Sequence, residues 1–182
     1  MPFATDVTAI WGGRGSGKTT LARQLVAKAK IKRAVIIDPM AEDGYTTPGQ
    51  VVNAIEAGEA RVIMRNPAKK AQIDTIFAAF LASRKDRPVF IVCDEAPAYL
   101  DKNSDALSKI IFQGRHRAFG MLIIGQRPNA VSAQIRSQAA VTYWLRLSDH
   151  LDVSVAAQAI GPKARTLSTL APGEFIRHPE KD

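Results

Sequence analysis

A chain of 182 residues suits one domain spanning 1–182 with a substantial core, and its 46% apolar and 23% charged content argues against disorder. The formal net charge of +8 suits a polyanionic partner such as nucleic acid without requiring one, since many basic proteins touch no DNA. The single cysteine, Cys93, excludes an internal disulfide and fits a reducing interior; no stretch resembles a signal peptide, and the most apolar predicted helix, 73–82, is too short to cross a bilayer.

Residues 7–11, Val-Thr-Ala-Ile-Trp, form an apolar run that meets Gly12, and Gly17-Lys18-Thr19 follows after four further residues. This is the G-x-x-x-x-G-K-[ST] phosphate loop, set between a strand-like and a helix-like run as the motif requires. Glycines at 12, 13, 15 and 17 are expected to take positive φ and bring their N–H groups close around phosphate oxygens. A helix predicted over 19–30 aims its N-terminal partial charge at the same anion. The expected nucleotide-binding residues are Gly12, Gly13, Arg14, Gly15, Ser16, Gly17, Lys18, Thr19 and Thr20. Lys18 would reach the β- and γ-phosphates of ATP, and the Thr19 hydroxyl would ligate Mg²⁺. The alternative, a glycine-rich turn matching by chance, does not explain the flanking runs.

Residues 34–37 predict a strand buried on both faces that ends in Asp38-Pro39. Thr47-Pro48 reads as an N-cap with proline at the first helical position, opening a helix to about 57 that Gly58 closes. A strand over 61–64 is followed by a helix over 70–84, with Ile73, Ile76, Phe77, Phe80 and Leu81 at helical spacing. A strand over 89–93 runs into Asp94-Glu95, residues 96–103 read as a loop, and Ser104 caps a helix ending at Gly114. A strand over 121–124 reaches Gln126-Arg127-Pro128; a short helix over 132–137, a strand over 141–147, a helix from about 149 to 159, a small helix after Gly161-Pro162 and residues 173–176 complete the chain. Strand-like and helix-like runs alternate, which predicts an α/β fold: a central, mostly parallel sheet flanked by helices on both faces.

Ligands in such folds sit at the carboxyl edge of the strands. Asp94 and Glu95 emerge there from a buried strand, so Asp94 is placed to hold Mg²⁺ through water and Glu95 to polarise the attacking water; otherwise both merely start the next loop. Gln126 ends a neighbouring strand, where its amide could touch the γ-phosphate or that water, or lie in a surface turn before proline. Arg115 and Arg117 precede that strand, at the edge opposite their own phosphate loop. They could reach a neighbouring subunit's ATP as an arginine supplied in trans, or form a solvated basic patch. His116 has no partner pattern for a metal.

Gly12 to Thr19, Ile36-Ile37-Asp38-Pro39 with Glu42, Asp94-Glu95, Arg117-Ala-Phe-Gly120, Gln126-Arg127-Pro128 and the late helix from Asp149 to Gly161 together resemble the FtsK/HerA superfamily of P-loop DNA-translocating ATPases. By that resemblance Lys18 and Thr19 take Walker A roles, Asp94 and Glu95 Walker B roles, Gln126 the sensor role and Arg117 the trans-acting finger, with Arg115 competing for the last. FtsK-like pumps carry membrane segments and a DNA-reading domain, and HerA-like proteins an added N-terminal barrel; this chain has room for neither and looks most like genome-packaging ATPases of tailless viruses with an internal membrane. The resemblance implies a ring, of six subunits by expectation, driving double-stranded DNA into a preformed capsid. Capsid-vertex or viral membrane proteins would be its partners, and the host cytoplasm and packaging vertex its location. Lys69, Lys70, Lys102 and Arg127 are candidate DNA contacts, though a lysine pair is commonly a solvated face. The alternatives are a conjugation or chromosome-processing translocase core, a small-molecule P-loop kinase, or a non-motor phage assembly factor. No lid-like insertion supports the kinase, and no visible anchor the assembly factor.

Overall fold

The structure, a computed structural model, describes residues 5–65, 70–82, 89–100, 103–113, 116 and 119–179. Strand β1 (Val7–Trp11), buried along its whole length, leads through residues 12–17 into helix α1 (Lys18–Lys28). Then come β2 (Ala34–Asp38), α2 (Pro48–Glu56), β3 (Arg61–Arg65), α3 (Lys70–Ala82), β4 (Phe90–Cys93) and α4 (Asp105–Gln113). The chain ends with β5 (Gly120–Gly125), α5 (Ala133–Arg136), β6 (Val141–Trp144), α6 (His150–Ile160) and β7 (Ile176–His178).

The strands lie in the order β3-β2-β4-β5-β1-β6-β7, parallel throughout except for the antiparallel β6–β7 pair at the edge. Strand β5 therefore separates β1, which delivers the phosphate loop, from β4, which delivers the acid pair. Its register sets Trp11 opposite Gly125 and Cys93 opposite Ile123. Gly12, Asp94 and Gln126 accordingly leave the sheet at one carboxyl edge.

Helices cover both faces, but unequally. On one face α1 places Leu21 and Ala22 on Ile10, Val92, Leu122 and Ile124. The opposite face holds the larger core, where Ile55 of α2, Ile73, Phe77 and Phe80 of α3, Leu107 of α4 and Val155 of α6 pack on the sheet. Beside α1, where strands β2 and β3 have no helix above them among the described residues, runs an open crevice of about 640 Å³ lined by Thr19, Arg23, Ile36, Asp38, Arg61 and Asp94.

Local chemistry set most boundaries as expected. The Thr47 hydroxyl accepts from the Gln50 N–H while the Gln50 side chain accepts from the Thr47 N–H, a reciprocal cap closed by Pro48. Cys93 packs as a small hydrophobe with no exposed surface, and burial pushes its thiol up to about 12. Two expectations shift. The strand expected over 141–147 stops at Trp144, because its partner β1 ends at Trp11, whose O accepts the Leu145 N–H, and the next bond, from Gly13 N–H to Arg146 O, belongs to the phosphate loop. The loop expected over 96–103 opens with a 3-10 turn, Ala96–Ala98, which Pro97 favours. The closing segment, for which no element was expected, pairs as a strand at Ile176–His178, and Gly173 before it donates its N–H to Ser16 O at 2.9 Å. The predicted end of α3 at 83–84 lies outside the described residues.

Candidate active site

The phosphate loop owes its shape to the sheet beneath it. Only Gly15 (φ 71°) and Gly17 (φ 97°) take the left-handed backbone expected of all four glycines. Gly12 and Gly13 serve differently: their N–H groups donate to Gly125 O at 3.2 Å and Arg146 O at 2.8 Å, so both amides face the sheet and not the anion. A Cβ on Gly12 would meet Ser16 Oγ at 2.5 Å and Leu145 Cβ at 2.8 Å, so this glycine lets the loop close on β6. The cradle for phosphate is left to the amides beyond Gly13 and to the first turn of α1, which has no intrahelical acceptors for its N–H groups. The Lys18 ammonium donates to Gly13 O at 3.1 Å and so lies across the loop. Burial lowers its pKa, against Glu95 and Asp94, which hold it up. Ser16 Oγ is buried without a hydrogen-bond partner inside the same loop.

The acid pair is held by long-range backbone contacts. Asp94 N–H donates to Ile37 O at 2.9 Å, extending the β2–β4 ladder by one bond. The Tyr99 hydroxyl lies 2.9 Å from Asp94 O and 3.2 Å from Ile37 O, pinning the same strand ends from the buried side. Glu95 then takes a left-handed conformation (φ 48°, ψ 40°) that a non-glycine residue rarely adopts, at a cost of about 1–3 kcal/mol. That turn points its carboxylate along the edge to Gln126, whose Nε2 donates to Glu95 Oε1 at 2.8 Å. The sheet therefore brings together Lys18, Thr19, Asp94, Glu95 and Gln126, which the sequence singles out in three separate segments.

Other expected residues fall elsewhere. Arg127 does not extend a free guanidinium: its Nε lies 2.5 Å from Asp152 Oδ2 and its Nη2 3.4 Å from Asp149 Oδ2, an arrangement that opposes its candidate role in gripping DNA. Arg14 and Thr20 are exposed beside the loop; His116 is exposed, and among the described residues no group of three or more His, Cys, Asp or Glu side chains could hold a metal ion. Arg115, Arg117, Lys69 and Lys102 lie outside the described residues. Asp38, quoted only as part of a motif, stands close enough to Asp94 to raise its pKa and shares the α1 crevice with Thr19. Asp152 carried no sequence signal at all, since an acid in the first turn of a helix is ordinarily a surface residue.

Comparison with known proteins follows the same lines. The family model for the AAA domain matches residues 3–132. A DNA double-strand break repair helicase HerA from Sulfurisphaera tokodaii is 30% identical over 125 residues, covering 58% of this chain and 25% of that protein. HerA from Sulfolobus acidocaldarius is 29% identical over 153 residues, 71% of this chain and 31% of its own length. The chain thus spans about a quarter to a third of the curated relatives it matches. Among solved structures, the genome packaging NTPase B204 of Sulfolobus turreted icosahedral virus 2, in complex with ATP-gammaS, superposes with a TM-score of 0.78 at 20% identity over 96% of this chain and 92% of that one.

Proposed function

We propose that this chain, which belongs to the AAA domain family and is an FtsK/HerA-type P-loop ATPase, couples Mg²⁺-dependent ATP hydrolysis to movement along double-stranded DNA, and that the duplex is a viral genome entering a capsid. The observation that carries this reading is the Gln126–Glu95 hydrogen bond of 2.8 Å, formed across the edge where the phosphate loop and Asp94 also emerge. It makes one constellation of an anion cradle, a metal-side acid, a base and a group able to sense the γ-phosphate.

The donor set fits magnesium. Thr19 and Asp94 line one crevice with Asp38, and Mg²⁺ needs only one or two protein oxygens beside substrate phosphates and water. When bound, the ion neutralises charge on the phosphates in the transition state. Lys18 exchanges its Gly13 carbonyl for phosphate oxygens, which recovers the hydrogen bond and adds an ion pair. Glu95 Oε1 is held by the Gln126 amide, so the second carboxylate oxygen is left to take the proton of the attacking water.

Loops at the carboxyl edge supply the DNA face. Lys70, Asn103, Asn129 and Ser132 line a groove of about 500 Å³, a row of donors suited to backbone phosphate irrespective of sequence. Lys69 and Lys102, next in sequence to Lys70 and Asn103, are candidates to add charge to this face. The α1 face, covered by a single helix among the described residues, favours a ring neighbour seated there. That neighbour would lend Arg117, or Arg115, to the nucleotide, in an assembly we take to be a hexamer. Its partners in this reading are capsid-vertex or viral membrane proteins, met in the host cytoplasm and at the packaging vertex; among the described residues no helix is long and apolar enough to cross a membrane.

The fold likeness to a genome packaging NTPase favours packaging; the sequence similarity to HerA favours the second reading, a repair or conjugation translocase core. Capsid genes beside the coding sequence support the first, and recombination or transfer genes the second. The central test measures ATP turnover with and without double-stranded DNA for wild type, Glu95→Gln and Arg117→Ala. Duplex should raise wild-type turnover, and both variants should lose it by about 10²-fold or more while still binding nucleotide. Mixed inactive Lys18→Ala and Arg117→Ala subunits should recover part of the activity, and co-assembly without recovery would remove the trans arginine.

A further inference from the structure

Asp152 sits in the first turn of α6 and is 1% exposed. Its Oδ1 accepts the N–H of Asn129 at 3.0 Å, and its Oδ2 lies 2.5 Å from Arg127 Nε. One carboxylate therefore straddles Pro128, holding the residues on either side of it. From the other side the Arg136 guanidinium donates to Pro128 O at 3.0 Å and also to Val131 O. A buried carboxylate whose counter-ion is a half-exposed arginine adds little net stability, and an apolar residue of similar size would fill the position at less electrostatic cost. Packing alone does not call for an acid here. What the acid does is fix the chain where it leaves β5, and the residue immediately before this clamp is Gln126, whose amide sets the orientation of Glu95.

We propose that Asp152 is a positioning residue for ATP hydrolysis: by gripping Arg127 and Asn129 it sets the reach of Gln126 to Glu95. The inference rests on Glu95 being the general base. Asp152→Asn keeps the volume, but its single amide oxygen can accept from the Asn129 N–H or face the Arg127 guanidinium and not both, so one of these two donors meets an NH2 group. Turnover of ATP should fall about 10- to 100-fold, with the KM for ATP and nucleotide affinity within about twofold of wild type. In a Gln126→Ala background the same substitution should cost no further turnover, because its effect passes through that amide. Independently of turnover, the side-chain amide resonances of Gln126 should move toward those of a solvated glutamine in Asp152→Asn. The double variant Asp152→Asn/Arg127→Met, which leaves no buried charge unpaired, should fold as wild type does and still be slow.

Wild-type turnover in that double variant, an Asp152→Asn effect that simply adds to Gln126→Ala, or unmoved Gln126 resonances would each overturn the proposal. So would an Asp152→Asn protein that melts lower but turns over normally at a temperature well below its midpoint, since that marks a purely structural acid. Unimpaired hydrolysis by Glu95→Gln would instead remove the assignment of the base, a separate failure read in a separate variant.

Discussion

Two demands meet at Asp94. The metal-side role needs a carboxylate, while the site opposes one: burial first, then the nearby Asp38 and Glu95, push its pKa up from the ordinary range, against the Glu95 N–H and the Lys18 ammonium. A carboxyl raised on folding stabilises the fold fully only below its unfolded pKa, and that stability is lost as pH rises through the folded value. Nucleotide-free wild type should therefore lose ground to Asp94→Asn as pH climbs from the ordinary carboxylate range toward neutrality. Scanning calorimetry should find the variant melting higher than wild type near pH 7 and level with it near pH 3, while its Mg²⁺-dependent turnover is lost; a variant that melts lower at neutrality contradicts the sign. Lys18, Thr19, Asp94 and Glu95 were legible in the sequence because each belongs to a contiguous run with its own chemistry. The duties of Gly12 and Gly13 were not, because their amides are claimed by Gly125 O and Arg146 O, far along the chain.

Strand β5 ends under a close contact that ties three elements together. A Cβ on Gly125 would meet Pro97 Cδ at 2.7 Å and Trp11 Cζ3 at 2.9 Å, neither the far end of a flexible side chain. The glycine lets the turn after Glu95 lie flat on β5, one residue before Gln126. Gly125→Ala should destabilise the fold by about 1–3 kcal/mol and slow turnover as well, because the displaced turn carries Glu95 away from Gln126. Urea unfolding and ATPase assays check the two effects, and a stable variant of normal rate would show that Pro97 moves aside freely. At this scale the sequence was read well where one element carries its own signal, as the reciprocal cap of Thr47 and Gln50 does for α2. It was read less well where a neighbour decides. The strand expected to 147 ends at Trp144 because β1 itself ends at Trp11, which accepts the Leu145 N–H, and Arg146 O is taken by Gly13 of the phosphate loop.

Across the whole molecule the charge of +8 finds a use in the duplex proposed as substrate. Each phosphate neutralised releases counterions, so Lys70→Ala, in the 500 Å³ groove with Asn103 and Asn129, should flatten the plot of log affinity against log salt by about one unit. Fluorescence anisotropy with duplexes of unrelated sequence measures this, and an unchanged slope would take Lys70 off the DNA face. Arg127→Ala would be a poor test of that face, since it strands the buried Asp152. The amino-acid sequence by itself determined the phosphate loop, the acid pair, the alternation of strands and helices, and through them the family. These depend on neighbours in the chain and on periodicities that burial imposes along it. The tertiary structure alone decided that β5 runs between β1 and β4, that Gln126 meets Glu95 across 31 residues, and that a buried Asp152 braces that meeting. Contacts between distant segments are fixed by which strands pair, and that choice rests on the packing of the whole sheet, not on any local run of residues.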